Sequence, residues 1–151
     1  MRKIPRWGAG ALLVLLACAQ SVRPARTNPP IDPARTLVAL RPMPPDVART
    51  FDAACRDCHS NDTRWPWYSH VAPISWFVID HVNHGRSHFN VSDWAGYEPA
   101  EAARLLKKSC ELVEDRSMPL GSYLLVHRSA RVSPPARDAL CAWAREGPES
   151  R

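Results

Sequence analysis

Residues 55–59 read Cys-Arg-Asp-Cys-His, so two of the chain's five cysteines stand three positions apart with a histidine directly after the second. Three chemistries use such a pattern. A redox dithiol of the thioredoxin kind places its first cysteine at a helix N-terminus in a βαβ setting, where the dipole lowers the thiol pKa; here the pair falls near the end of a predicted helix, in a chain without strand patterning. Zinc needs four ligands, whereas Cys58 and His59 are adjacent and diverge, and no second Cys-x-x-Cys closes the tetrahedron. Haem asks for what is present. Cysteines at i and i+3 share a helical face and can each add to one of the two porphyrin vinyl groups, which turns the following histidine toward iron. The motif therefore predicts one covalent haem c at Cys55 and Cys58, with His59 as an axial ligand.

The opposite side of the iron has several candidates. Met1 leaves with a leader, Met43 lies in a proline-rich segment, and Met118 stands in "EDRSMPLGSY", held in a loop by the following proline. Thioether sulfur is a soft, neutral ligand that raises the potential, and Met118 is the expected sixth ligand, with core filling as its alternative. His70, His81, His84, His88 and His127 compete with it. Of these, His81, His84 and His88 fall at i, i+3 and i+7, a spacing that could make a metal face and reads more simply as a partly solvated helix face interrupted by Gly85. Trp65, Trp67, Tyr68, Trp76 and Phe77 could wall the macrocycle, and Arg64 could meet a propionate; core packing and a solvated arginine are the plain alternatives. The second ring nitrogen of His59 is expected to donate to a main-chain carbonyl, with Pro66 and Pro73 as candidates.

Elements that would position these groups follow from pattern. Arg2, Lys3 and Arg6 precede the apolar run "GAGALLVLLA", which has the anatomy of a secretory signal over residues 1–18. "LLAC" resembles a bacterial lipobox, with Cys18 lipidated; an ordinary signal cleaved nearby is the alternative. Export places the protein in the periplasm, attached to a membrane through the lipid. Removal of residues 1–17 takes three basic residues from the formal charge of +5 and leaves +2, too little to argue for nucleic acid. Residues 19–45 carry seven prolines and little apolar periodicity, the composition of an extended tether. Residues 46–148 then form one small domain.

Within that domain Asp46 is placed to cap a helix through "VARTFDAACRDCH". Pro73 suits the first turn of a second helix ending at Gly85, a third runs from Pro99 to about Asp115, and a fourth follows the Ser133 cap and Pro134 and stops at Gly147. The fold class is all-α. Cys110 and Cys141 lie on the buried stripes of the last two helices, so in an oxidising compartment a disulfide is the economical reading and two unpaired thiols the alternative.

Residues 55–76, "DHVNHGRSHFNVSDW", "MPLGSYLLVHRSARVS" and "LCAW" together resemble the bacterial haem-binding domain family, small exported proteins regarded as cytochrome c-like. The resemblance extends over nearly all of residues 46–145. It implies a small helical domain around one covalent haem at Cys55 and Cys58, with His59 as proximal ligand, and its Met-Pro maps onto Met118 and Pro119. The chain departs from the pattern at Gly121, where a bulkier residue or proline is expected, and at His84, where an acidic residue is commoner. A monohaem c-type cytochrome passing single electrons between redox partner proteins is the leading expectation. A haem sensor or small haem enzyme with an open iron position is the second, and a haem-free structural module the third.

Overall fold

A computed structural model of the chain describes residues 6–146. The basic residues Arg2 and Lys3 of the expected leader, and Gly147 and Pro148 at the far end of the domain, lie outside the described residues. The apolar run forms helix α1 (Arg6–Ala19), whose Leu12, Leu13, Val14 and Leu15 are each more than half exposed. None of them joins the hydrophobic core. No helix among the described residues is long and apolar enough to cross a membrane.

The proline-rich segment departs from the expected tether: it is laid along the domain as a strap. Its extended backbone has no helical or sheet partners, and side chains supply them. Gln20 makes a two-way bond with the main chain of Ala72, Arg26 donates to the Ser69 carbonyl, and Asn28 donates to the Thr63 carbonyl. From the domain, Trp76 Nε1 donates to the Val22 carbonyl and Arg86 to that of Thr27. Further on, Thr36 caps the short helix α2 (Leu37–Leu40) by accepting from the Ala39 N–H. This turn delivers Leu37 into the core with no exposed surface. Arg41 then stacks on the Trp143 ring at 4.7 Å and donates to the carbonyls of Trp143 and Glu146.

Helix α3 (Pro45–Ala54) starts one residue before the expected cap, with Pro45 in its first turn and Asp46 just inside, where a carboxylate favours the positive end of the helix. It buries Val47 and Phe51, four residues apart on one face. The predicted single helix through His59 breaks at Cys55 (φ −123°, ψ −40°), and a separate turn, α4 (Arg56–His59), carries Cys58 and His59. Helix α5 (Ile74–His88) runs through Gly85 and stops three residues later. Gly85 is there for proximity: a Cβ at this position would lie 2.6 Å from the Cys58 carbonyl oxygen, so only glycine lets α4 rest on α5.

Helix α6 (Pro99–Glu114) buries Leu105, Leu106, Cys110 and Val113 at helical spacing. A short helix unforeseen in the sequence, α7 (Gly121–Val126), follows. In α8 (Pro134–Arg145), Ser133 accepts from the Ala136 N–H and Leu140, Cys141, Trp143 and Ala144 face inward. No strand occurs among the described residues, and the fold is all-α. The main core joins α3, α6 and α8 with Leu37, Phe89, Val91 and Trp94. Across it the sulfurs of Cys110 and Cys141 are bonded, 2.08 Å apart, closing a 31-residue separation. A loop of that length is worth about 3.5 kcal/mol in the chain-entropy account.

Candidate functional site

His59 ends α4 and is turned under the last turn of α5. Its Nδ1 lies 3.0 Å from the Gly85 oxygen and 3.1 Å from the Phe89 oxygen. A carbonyl can only accept, so Nδ1 must carry the proton, and Nε2 is left with an unshared pair. The Phe89 ring meets the imidazole edge-on at 5.2 Å and ties it to the aromatic side of the core. Burial holds the pKa of His59 below the ordinary value; the two carbonyl bonds oppose that shift and His88 adds to it. The result is a neutral imidazole with a fixed tautomer, the form that binds a metal. The expected carbonyl partner thus exists, but Gly85 and Phe89 supply it rather than Pro66 or Pro73, because α5 reaches His88.

Cys55 and Cys58 are not joined to each other. Burial, then the neighbouring Cys58, pushes the Cys55 thiol up to about 12, and burial, then Asp57, pushes Cys58 up to about 11. A thiol-exchange nucleophile needs the opposite shift, so the dithiol reading has no support in the electrostatics here. Cys55 packs against the main core, and Cys58 lines a groove of about 300 Å³. That groove is largely aromatic and aliphatic, lined by Trp67, Tyr68, Phe77, Leu120, Tyr123 and His127 among others.

Several polar side chains of the groove wall are paired with one another or with neighbouring charges. The Tyr68 hydroxyl and His127 Nε2 are 2.6 Å apart, the Tyr123 ring stacks on His127 with centroids 4.1 Å apart, and the Tyr123 hydroxyl donates to Asp57 at 3.0 Å. Arg64 holds the other oxygen of Asp57 at 3.0 Å and also reaches Asp52. Burial, and then the nearby Asp57 charge, raise the pKa of both tyrosines and keep them as phenols.

The remaining candidates separate into groups. Trp67, Tyr68 and Phe77 line the groove, whereas Trp65 donates to Asn28 and Trp76 to Val22, so those two indoles hold the strap. Arg64 is engaged with carboxylates of its own chain. Met118 follows α6, donates its N–H to the Leu112 oxygen at 2.9 Å, and packs against the main core instead of among the groove-lining residues. His81 also lines the groove, its ring lying on Phe77 and its Nδ1 2.8 Å from the Phe77 oxygen. His84 and His88 form an exposed pair, and His70 is exposed. Cys18 is exposed near the end of α1.

Arg86 escaped the sequence reading, although it organises the site's back. It donates to the Ser60 oxygen at 2.7 Å and the Thr63 hydroxyl at 2.7 Å, and to Thr27 and Asn28 of the strap. An arginine one position after Gly85 on a helix gives no pattern that separates this role from a solvated charge. Tyr123 and His127, four apart on a short helix and its end, carried an i, i+4 signal that would have been readable had α7 been foreseen. Neither a curated protein nor a solved structure matches the chain. The family model of the haem-binding domain, however, matches residues 14–146, from within α1 through the strap to the end of α8, and the chain belongs to the haem-binding domain family.

Proposed function

We propose that this protein is a monohaem c-type cytochrome that carries single electrons between redox partner proteins in the periplasm, held at a membrane by lipid on Cys18. The observation that carries the reading is the commitment of the His59 Nδ1 proton to Gly85 and Phe89, which leaves Nε2 as an iron-binding nitrogen. The donor set suits the group. Cys55 and Cys58, not joined to each other, stand three positions apart directly before this imidazole, and Cys58 lines a groove of largely aromatic and aliphatic side chains. Bound there, haem supplies a one-electron iron couple.

In this reading Cys55 and Cys58 would hold the group through thioether bonds, and His59 and Met118 would supply its two iron-binding side chains. His59, neutral and fixed in tautomer, would offer Nε2 to iron, and a thioether at Met118 would favour the reduced iron and a higher potential. The exposed leucines of α1 suit a leader that is removed from the fold, with Cys18 as the residue that then bears lipid.

A visible spectrum in both redox states, followed by a pyridine haemochrome assay after denaturation, tests the reading. Haem that stays with the unfolded wild-type chain, and is lost from a Cys55→Ser/Cys58→Ser variant, is the expected result; wild-type protein without retained haem refutes covalent attachment. The packing of Met118 on the core, with Tyr68 and His127 on the groove wall, favours one second reading, a haem sensor or small haem enzyme with an open iron position. Carbon monoxide separates the two. A Met118-ligated ferrous protein resists it and the Met118→Leu variant binds it readily, whereas ready binding in both overturns the axial assignment.

A further inference from the structure

We propose that His84 and His88 form a second metal site, separate from the haem ligands, for a divalent transition ion of the nickel or copper class. The two residues are i and i+4 at the end of α5, so their side chains share one face. Their Nε2 atoms lie 3.0 Å apart with ring planes at 82°, and both residues are exposed, so an ion reaches them directly from solvent. His81 does not join them: its ring lies on Phe77 and its Nδ1 is engaged with the Phe77 oxygen. The site is a pair, not the triad that spacing alone suggested.

The separation of the two nitrogens selects the ion. Nitrogens 3.0 Å apart, each about 2.0–2.1 Å from a common ion, subtend about 95° at it. That is near the right angle between adjacent positions of square-planar or octahedral coordination, and narrower than a tetrahedron asks, which points to Ni(II) or Cu(II) ahead of Zn(II). In the structure one ring N–H faces the other ring's nitrogen. Binding turns that ring so that both Nε2 atoms face the ion and shifts the proton to Nδ1 of the same ring, so two neutral imidazoles bind the ion without net proton loss, and water fills the open positions.

The charges around the pair agree. Both imidazoles stand at the C-terminal end of α5, where the helix dipole favours a cation. Arg86, between them in sequence, points away and is bonded to Ser60, Thr63 and the strap. Asp80 is exposed one turn before His84 on the same helical face and adds negative charge. An ion at this place secures the turn whose Gly85 oxygen, with that of Phe89 just past the helix end, holds His59.

Calorimetric titration of the chelator-treated full chain with nickel sulfate, then with zinc sulfate, tests the site. The expected result is one Ni(II) per chain, bound more tightly than Zn(II) and lost in both His84→Asn and His88→Asn. Binding is expected to persist in His70→Asn and in the Cys55→Ser/Cys58→Ser variant, while metal-free unfolding midpoints of the two α5 variants match the wild type. No nickel binding to the wild type, binding that survives both α5 substitutions, or loss in the His70 or cysteine variants overturns the site. Tighter zinc than nickel overturns the choice of ion.

Discussion

On one side of the molecule α3, α6 and α8 close on apolar side chains: Val47 and Phe51 from the first, Leu105, Leu106 and Val113 from the second, Leu140 and Trp143 from the third, with the Cys110–Cys141 bond across the middle. On the other side α4, α5 and the strap bury fewer apolar side chains, Ala72, Ile79 and Val82 among them, and are tied together by bonds to main-chain oxygens. Gly85 and Phe89 take the His59 proton, Ser60 and Thr27 accept from Arg86, and Ala72 and Gln20 exchange bonds. The first region is held by burial, which is large and non-directional; the second by hydrogen bonds, each modest but strict in geometry. Stability is therefore concentrated in one half, and orientation of the His59 imidazole in the other.

Substitutions in the two halves should separate these quantities. Phe51→Ala removes a buried ring that touches Phe89 and should cost about 3–5 kcal/mol in urea unfolding of the haem-free chain. A replacement of both Cys110 and Cys141 by alanine should cost about 3.5 kcal/mol, and the His59 bonds should survive in the fraction that remains folded. Gly85→Ala places a methyl against the Cys58 oxygen and should cost about 1–3 kcal/mol. Its distinguishing effect is local: the His59 Nδ1 proton, followed by NMR, should exchange with solvent faster than in either core variant. A slow proton in Gly85→Ala would break the division of labour.

Arg86→Met keeps the aliphatic stem and removes four donor contacts, for a global cost of about 1.5 kcal/mol. Limited proteolysis should nonetheless find cleavage within residues 20–36 well before α6 or α8 is cut. The smallest effect is with pH. Burial lowers the folded pKa of His59, so the native haem-free chain binds fewer protons than the unfolded one as pH falls. Its stabilising share is fully present above the unfolded value of about 6.5 and is lost as pH falls through the lowered folded value. Urea midpoints should drop between pH 7 and pH 5, and His59→Asn should flatten that drop; an unchanged slope would mean that other groups set it.

The half built on burial was readable from residue spacing. Helices α6 and α8 fall close to where apolar periodicity, Pro99, Ser133 and Pro134 place them, and the break at Cys55 is a local departure in an otherwise expected stretch. The strap does not show in the sequence, because a count of apolar residues is blind to polar side chains that satisfy an extended backbone. Gln20, Asn28, Trp65, Trp76 and Arg86 each look like ordinary surface residues until their partners, tens of positions away, are known. Helix α7 was missed for a related reason: six residues after Met118-Pro119 carry too little periodicity to declare themselves.

The sequence by itself determined the helical class and the kind of chemistry, because apolar periodicity and the Cys55-Cys58-His59 spacing are local properties of a few turns. Tertiary structure decided how those residues are held. The tautomer of His59 depends on carbonyls 26 and 30 positions away, the Gly85 requirement on the close approach of α4, and the groove wall on Tyr68 meeting His127 across 59 positions. Such contacts are set by how helices pack, and no short window of sequence contains both partners.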